Sequence, residues 1–244
     1  MNEREAGATL RNGVRQLLAA VRNEEWTFDR VLTECERKRT GDERAPEITE
    51  LLARANGGRR YATSMLQEVA AGRSADDCVE PPVAAVATWA EAHRDAHVAM
   101  SALFDAVDAV GEERLAAHHG PTRNHPQYLW RHVVIYAVRD PMLRYAEWHH
   151  RAGRAWEGLA LLSRWYEAVR GSGLPAKARS DASYDLACGF ARSDRPDDAM
   201  GVLPDAFTYN DRAAVGVLKA WAREDSDLRP LADRADFRTL VGAT

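Results

Sequence analysis

The sequence predicts an all-α protein: an up-down four-helix bundle followed by a helical hairpin and a C-terminal cap. Three observations lead there. Ala, Leu, Arg and Glu dominate the chain, and these residues lose little rotamer freedom in a helix. Runs of β-branched residues are scarce. Apolar residues recur at helical spacing over long stretches, and Gly and Pro gather at the few places between them.

Helix 1 is expected from about Thr9 to Lys38, because Val14, Leu17, Leu18, Val21, Phe28, Val31 and Leu32 form one stripe. Thr40, Gly41 and Asp42 break it. Helix 2 is expected from Pro46, whose missing N–H suits a first turn, to about Gly72. The Gly57-Gly58 pair inside it marks a kink or a close helix crossing. Ser74 to Pro82 reads as a loop. Helix 3 should cover Val83 to His118, with a step at Gly111, and His119 to Pro126 as the next loop. Helix 4 starts near Gln127. Asp140-Pro141 should interrupt it, since Asp can cap a new helix and Pro can open one. The segment then runs to about Arg170. Gly171 to Pro175 is the expected boundary between residues 8–170, the bundle, and 176–241, the hairpin module. Beyond it, helices are expected at Ala178–Arg192, Pro196–Phe207 and Arg212–Arg223.

Composition narrows the function classes. The net charge of -4 argues against a general nucleic-acid binder, which is normally basic. Apolar runs stay short of the roughly 18 residues that a bilayer crossing needs. The charged start, MNEREAGATLRNG, lacks the apolar stretch of a signal peptide, so a cytoplasmic protein is expected. Cys35, Cys78 and Cys188 are too scattered for a disulfide framework or a zinc knuckle. Cys188 is expected to pack in the core. The phosphate-loop, dinucleotide and nucleophile-elbow motifs are missing.

The C-terminal stretch carries the clearest pattern. Leu186, Ala187, Phe190, Ala199, Leu203 and Ala206 alternate small and large residues as two closely packed antiparallel helices require. Spacings of 12, 16 and 19 from Ala187 resemble those of the tetratricopeptide repeat. Ser183 stands where that repeat has its first aromatic anchor. Trp221, Asp225, Asp227, Leu228, Leu231 and Phe237 resemble a terminal cap. A step of 34 residues back from Ala199 reaches Trp165, so one repeat is expected. Such a module implies a protein partner, self-association, or a purely structural role.

The histidines carry the chemical signal, and all eight lie between His93 and His150. His93 and His97 share a helix face. His132, Tyr136 and Asp140 share another up to the proline. Imidazoles can act as general base or metal ligand, so His93, His97, His132 and Glu147 are the candidate catalytic groups. Glu50, Trp89, Tyr136, Tyr145, Trp148 and His149 are the candidate ligand-binding set. A third metal ligand at fixed spacing is lacking. No cofactor is therefore expected, and a transition metal is the alternative that the His93–His97 pair leaves open.

The order of elements over residues 8–170 resembles the DinB-like bundle superfamily, in particular its ClbS/DfsB branch. The resemblance rests on GluIleThrGluLeuLeu early on helix 2, AlaAlaGlyArg at its end, His93 on a long helix 3, TyrLeuTrpArgHis, and TyrAlaValArgAspPro followed by TrpHisHis. It implies a closed small-molecule pocket between helices 2, 3 and 4, with His93, His97 or His132 pointing inward, and either chemistry on a natural product or its sequestration, as in self-resistance. Metal-binding members carry one His on helix 2 and a pair on helix 4. Here Leu51, Arg144 and Trp148 stand at those places, which implies a metal-free bundle.

Overall fold

The computed structural model describes residues 10–25, 45–75, 78, 88–117, 128–209 and 211–242. Among them every regular element is helical. The chain divides into two compact units, Met1–Arg144 and Tyr145–Thr244. The division lies inside a helix, upstream of the Gly171–Pro175 segment.

In the first unit, α1 spans residues 10–25, α2 Ala45–Ala70, α3 Trp89–Ala109, α4 Glu112–Ala116 and α5 Leu129–Val134. The expected stripe of Val14, Leu17, Leu18 and Val21 is fully buried. Its continuation through Leu32, with Cys35, lies outside the described residues, as do His118, His119 and His125. Helix α3 starts on a capping box. The Thr88 hydroxyl accepts the Glu91 N–H at 3.2 Å, and the Glu91 carboxylate accepts the Thr88 N–H at 3.1 Å. Such a cap stabilises a helix by about 1 kcal/mol. The helix ends at Val110, and the step expected at Gly111 separates it from α4. Helix α2 packs along α3 and also meets α5.

The expected break at Asp140-Pro141 does not occur. Residues Ile135–Arg139 form a π turn, and α6, Asp140–Arg151, follows without interruption. The Asp140 N–H returns to the Ile135 carbonyl, five residues back. Pro141 has no N–H to give, and its ring would collide with a carbonyl one α-turn earlier. A wider turn relieves both problems while the helix continues. Asp140 is therefore not a helix cap. Gly58 explains how α2 lies so close to this turn. A Cβ there would sit 2.5 Å from the Tyr136 carbonyl oxygen, so the glycine pair marks a close crossing.

In the second unit the helix expected to run to Arg170 stops at Arg151. Gly153, at φ 73°, takes the left-handed conformation that glycine adopts without strain. The Gly153 N–H donates to His150 O at 3.0 Å and the Arg154 N–H to His149 O at 2.9 Å, the paired bonds of a Schellman ending. Then follow α7 Ala155–Gly171, α8 Ala176–Arg192 and α9 Pro196–Val202, which tightens into a 3₁₀ turn at Leu203–Phe207. Helix α10, Arg212–Glu224, leads through a second 3₁₀ turn, Ser226–Leu231, to α11, Ala235–Val241. Helix α8 is the hub, packed by α7, α9 and both 3₁₀ turns.

The α6–α7 turn recurs at α8–α9, 41 positions on. Asp194 stands for Gly153 with φ 56°, and Arg195 stands for Arg154. The two arginines share a backbone conformation, φ -114° and ψ 50° against φ -122° and ψ 63°. The bonds repeat as Asp194 N–H to Ala191 O and Arg195 N–H to Phe190 O. Each guanidinium covers a ring of the preceding helix: Arg154 on Trp148 at 4.6 Å, Arg195 on Phe190 at 4.8 Å. Small residues set both crossings, Ala146 with Gly158 and Ala187 with Ala199, all buried. A Cβ on Gly158 would lie 2.7 Å from Ala146 O. A search at a 34-residue step misses this, because the 17-residue α7 lengthens the first hairpin.

Candidate functional site

A cleft of about 690 Å³ lies not between helices 2, 3 and 4 as expected but along α1 and α3 of the first unit. Side chains from α1 include Arg15, Arg22 and Glu25, and those from α3 include His93, His97, Met100 and Phe104. The volume lies within the roughly 300–1,000 Å³ typical of small-molecule sites. His93 is half-buried and His97 exposed. Their rings meet edge to face with centroids 5.2 Å apart. Trp89 stacks on His93 from the preceding turn at 6.0 Å. The expected shared face of His93 and His97 thus borders the cleft, while Trp89 backs His93 from outside its lining.

Beneath this face lies a polar network in the helix core. Glu25 is 4% exposed and its carboxylate pairs with Arg59, which is 0% exposed. Arg59 also donates to Asn56 Oδ1 at 2.9 Å. Asn56 Nδ2 donates to the Ala92 carbonyl and to Asp95 Oδ2, both at 3.0 Å. Arg60 then binds both Asp95 oxygens at 2.8 Å. The network joins α1, α2 and α3 and fixes the turn of α3 that carries His93. Charges withdrawn from water persist only when paired and hydrogen-bonded, and here each carboxylate has its guanidinium.

Neither Glu25 nor Arg59 stands out by motif. The usable signal is their position on apolar stripes. Glu25 follows Val14, Leu18 and Val21 on α1, and Arg59 falls in the series Ile48, Leu52, Ala55, Ala62 and Leu66 on α2. A charge of each sign inside two buried faces predicts a pair.

The other candidate residues lie elsewhere. Glu50 is exposed on α2 and pairs with Arg54 at 2.6 Å. His132 stacks on Tyr136, with centroids 6.0 Å apart and planes 9° apart, and Tyr136 meets Tyr61 edge-on at 5.1 Å. These rings form a second aromatic group in the first unit, and neither His132 nor Tyr136 borders the cleft. Tyr145, Glu147, Trp148 and His149 belong to the second unit. Tyr145 and Trp148 are buried there and Glu147 is exposed. His149 lies edge-on to Trp148 at 5.1 Å. Burial, and then the nearby Arg154 charge, push its imidazole down to about 4, so it is neutral at pH 7.

Cys188 takes the packing role expected of it. Its sulfur lies 3.8 Å from Asp225, which also accepts the Tyr184 hydroxyl at 2.8 Å. Arg192 pairs with Asp227 at 3.5 Å. The three potential ligand atoms of Cys188, Asp225 and Asp227 lie within 4.8 Å of one another. Burial first, and the aspartates second, hold the thiol above its usual range, so it stays protonated. The group fastens the 3₁₀ turn Ser226–Leu231 to α8, with Leu228 and Leu231 buried beside it. Among the described residues no helix is long and apolar enough to cross a membrane. No family model, curated protein or solved structure matches the chain.

Proposed function

We propose that the first unit binds a small molecule in the α1–α3 cleft and either transforms it by proton transfer or holds it out of solution. One observation carries this reading: two imidazoles in ring contact border a ligand-sized cleft, above a buried Glu25–Arg59 pair. Imidazole exchanges protons near neutral pH. Phe104 supplies flat apolar surface in the cleft, which favours ligands containing a ring or a conjugated system. This fits the DinB-like, ClbS-like bundle that the sequence resembles and a role in natural-product self-resistance or biosynthesis. On this reading His93 and His97, which border the cleft, carry the chemistry ahead of His132 and Glu147, which do not. No metal is invoked.

The test is binding by the full chain of a panel of aromatic and conjugated small molecules, followed by NMR of the histidine side chains. Ligands should shift the His93 and His97 signals. A His93→Ala/His97→Ala variant should keep its thermal midpoint and lose at least tenfold in affinity. Ligands that shift only the His132 signal, or a double variant with unchanged affinity, would overturn the assignment.

A second reading concerns the second unit, as a tetratricopeptide-like scaffold that self-associates or binds a protein. It is favoured by Val217, 45% exposed, and Trp221, 64% exposed, four residues apart on α10. Light scattering should then show a dimer that Trp221→Lys converts to monomer; a monomeric wild type removes self-association.

A further inference from the structure

We infer that the ligand of the α1–α3 cleft carries an oxyanion, a carboxylate or phosphate, held at the Phe104 end by Arg22. The inference rests on the small-molecule reading above and adds the charge of the ligand to it.

The balance of charge along the cleft points there. Glu25 is matched by Arg59 and removed from water. Arg15 is matched by Asp108. Among the described residues no carboxylate pairs with Arg22, although it too borders the cleft. Arg15 and Arg22 stand two turns apart on α1 and both lean on the Phe104 ring, at 5.1 and 5.4 Å. A guanidinium lying on a ring is held in place while its N–H edge stays available, and that planar edge suits a carboxylate or phosphate. An oxyanion bound at Arg22 would leave the rest of the molecule to extend along α3 toward His97 and His93. No unmatched carboxylate of the described cleft residues would oppose it. A cationic ligand would meet the opposite balance.

Three probes of one shape separate the possibilities: benzoate, benzyl alcohol and benzylamine, with inorganic phosphate as a fourth, titrated into the full chain and followed by NMR. Benzoate should shift the Arg22, His93 and His97 side-chain signals and bind up to about fivefold more tightly than benzyl alcohol, the upper end of what an exposed charge pair supplies. Arg22→Gln should erase that difference without changing the thermal midpoint. Added salt should shrink it, since exposed charges are screened. Phosphate shifting the Arg22 signal would mark the oxyanion itself as the recognised group; benzoate alone doing so would assign a carboxylate joined to a ring. Benzyl alcohol or benzylamine binding as tightly as benzoate at the two imidazoles would overturn the oxyanion inference while the small-molecule reading stands. Perturbation by none of the four overturns the inference, and the wider ligand panel then decides the reading on its own.

Discussion

The two units fill their interiors by different means. The first seats a charge pair and an asparagine among its helices: Glu25, Arg59 and Asn56 are all nearly or fully buried. The second brings its helices together with small residues, Ala146 on Gly158 and Ala187 on Ala199, and its turns repeat. A buried ion pair is weak evidence for stability, because hydrophobic residues of equal volume often do as well. A stripe of small residues chiefly sets helix spacing. The contrast therefore lies in what each interior contains: a hydrogen-bonded charge network in the first unit, close small-residue crossings in the second.

The largest effect should come from breaking the pair. Arg59→Ala leaves Glu25 buried without its cation and should lower stability by about 3–5 kcal/mol in urea unfolding. Glu25→Leu with Arg59→Met should recover most of that loss while still weakening ligand binding. If the single variant is as stable as wild type, the pair is not integral to the first unit and the contrast fails. Next come the crossings. Gly58→Ala and Gly158→Ala each push a methyl group against a backbone carbonyl and should cost about 1–3 kcal/mol. Gly189→Ala should cost less, because the atom it meets is the end of the Leu162 side chain. Equal thermal midpoints for all three would show that the carbonyl contacts relax freely.

Acid should act on the second unit through His149. Its folded pKa, about 4, lies below the ordinary imidazole value of about 6.5. As pH falls, the unfolded chain takes the proton first. The contribution is complete above about pH 6.5 and lost progressively toward pH 4. The stability difference between wild type and His149→Phe should follow that slope; a flat difference across the window would remove the assignment. The smallest effect belongs to the recurring arginines. Arg154→Ala and Arg195→Ala should each cost about 0.5–1 kcal/mol, as for exposed cation–ring contacts. Closely matched losses would support equivalence of the two turns, and a wide gap would break it.

Much of the fold was legible in the sequence because burial follows periodicity. Val14, Leu17, Leu18 and Val21 went inside as a stripe, and Gly111 stepped the chain as glycine does. Two readings missed for physical reasons. Pro141 looked like a helix start, but one extra residue in the preceding turn absorbs a proline, and nothing local in the sequence distinguishes these outcomes. The helix expected to run on to Arg170 ends at Arg151, because Gly153 turns left-handed at φ 73°. At the site, the spacing of His93 and His97 was readable, whereas partners from different helices were not. His132 and Glu147 share a stretch of sequence with the histidines but not the cleft, since spacing reports a face and not what that face meets.

The matched turns at Gly153-Arg154 and Asp194-Arg195 have a consequence for how this chain can change in length. Duplicating the 41 residues between equivalent points of the two turns would keep α8 and rejoin a left-handed residue to an arginine of the same conformation. Helix phase would be kept on both sides of the seam. An insertion of 38 or 44 residues would shift the small residues off the crossing and expose the packed edge. Viable length variants of the second unit should therefore differ by whole hairpins, with the ring under each arginine carried along as part of the cassette.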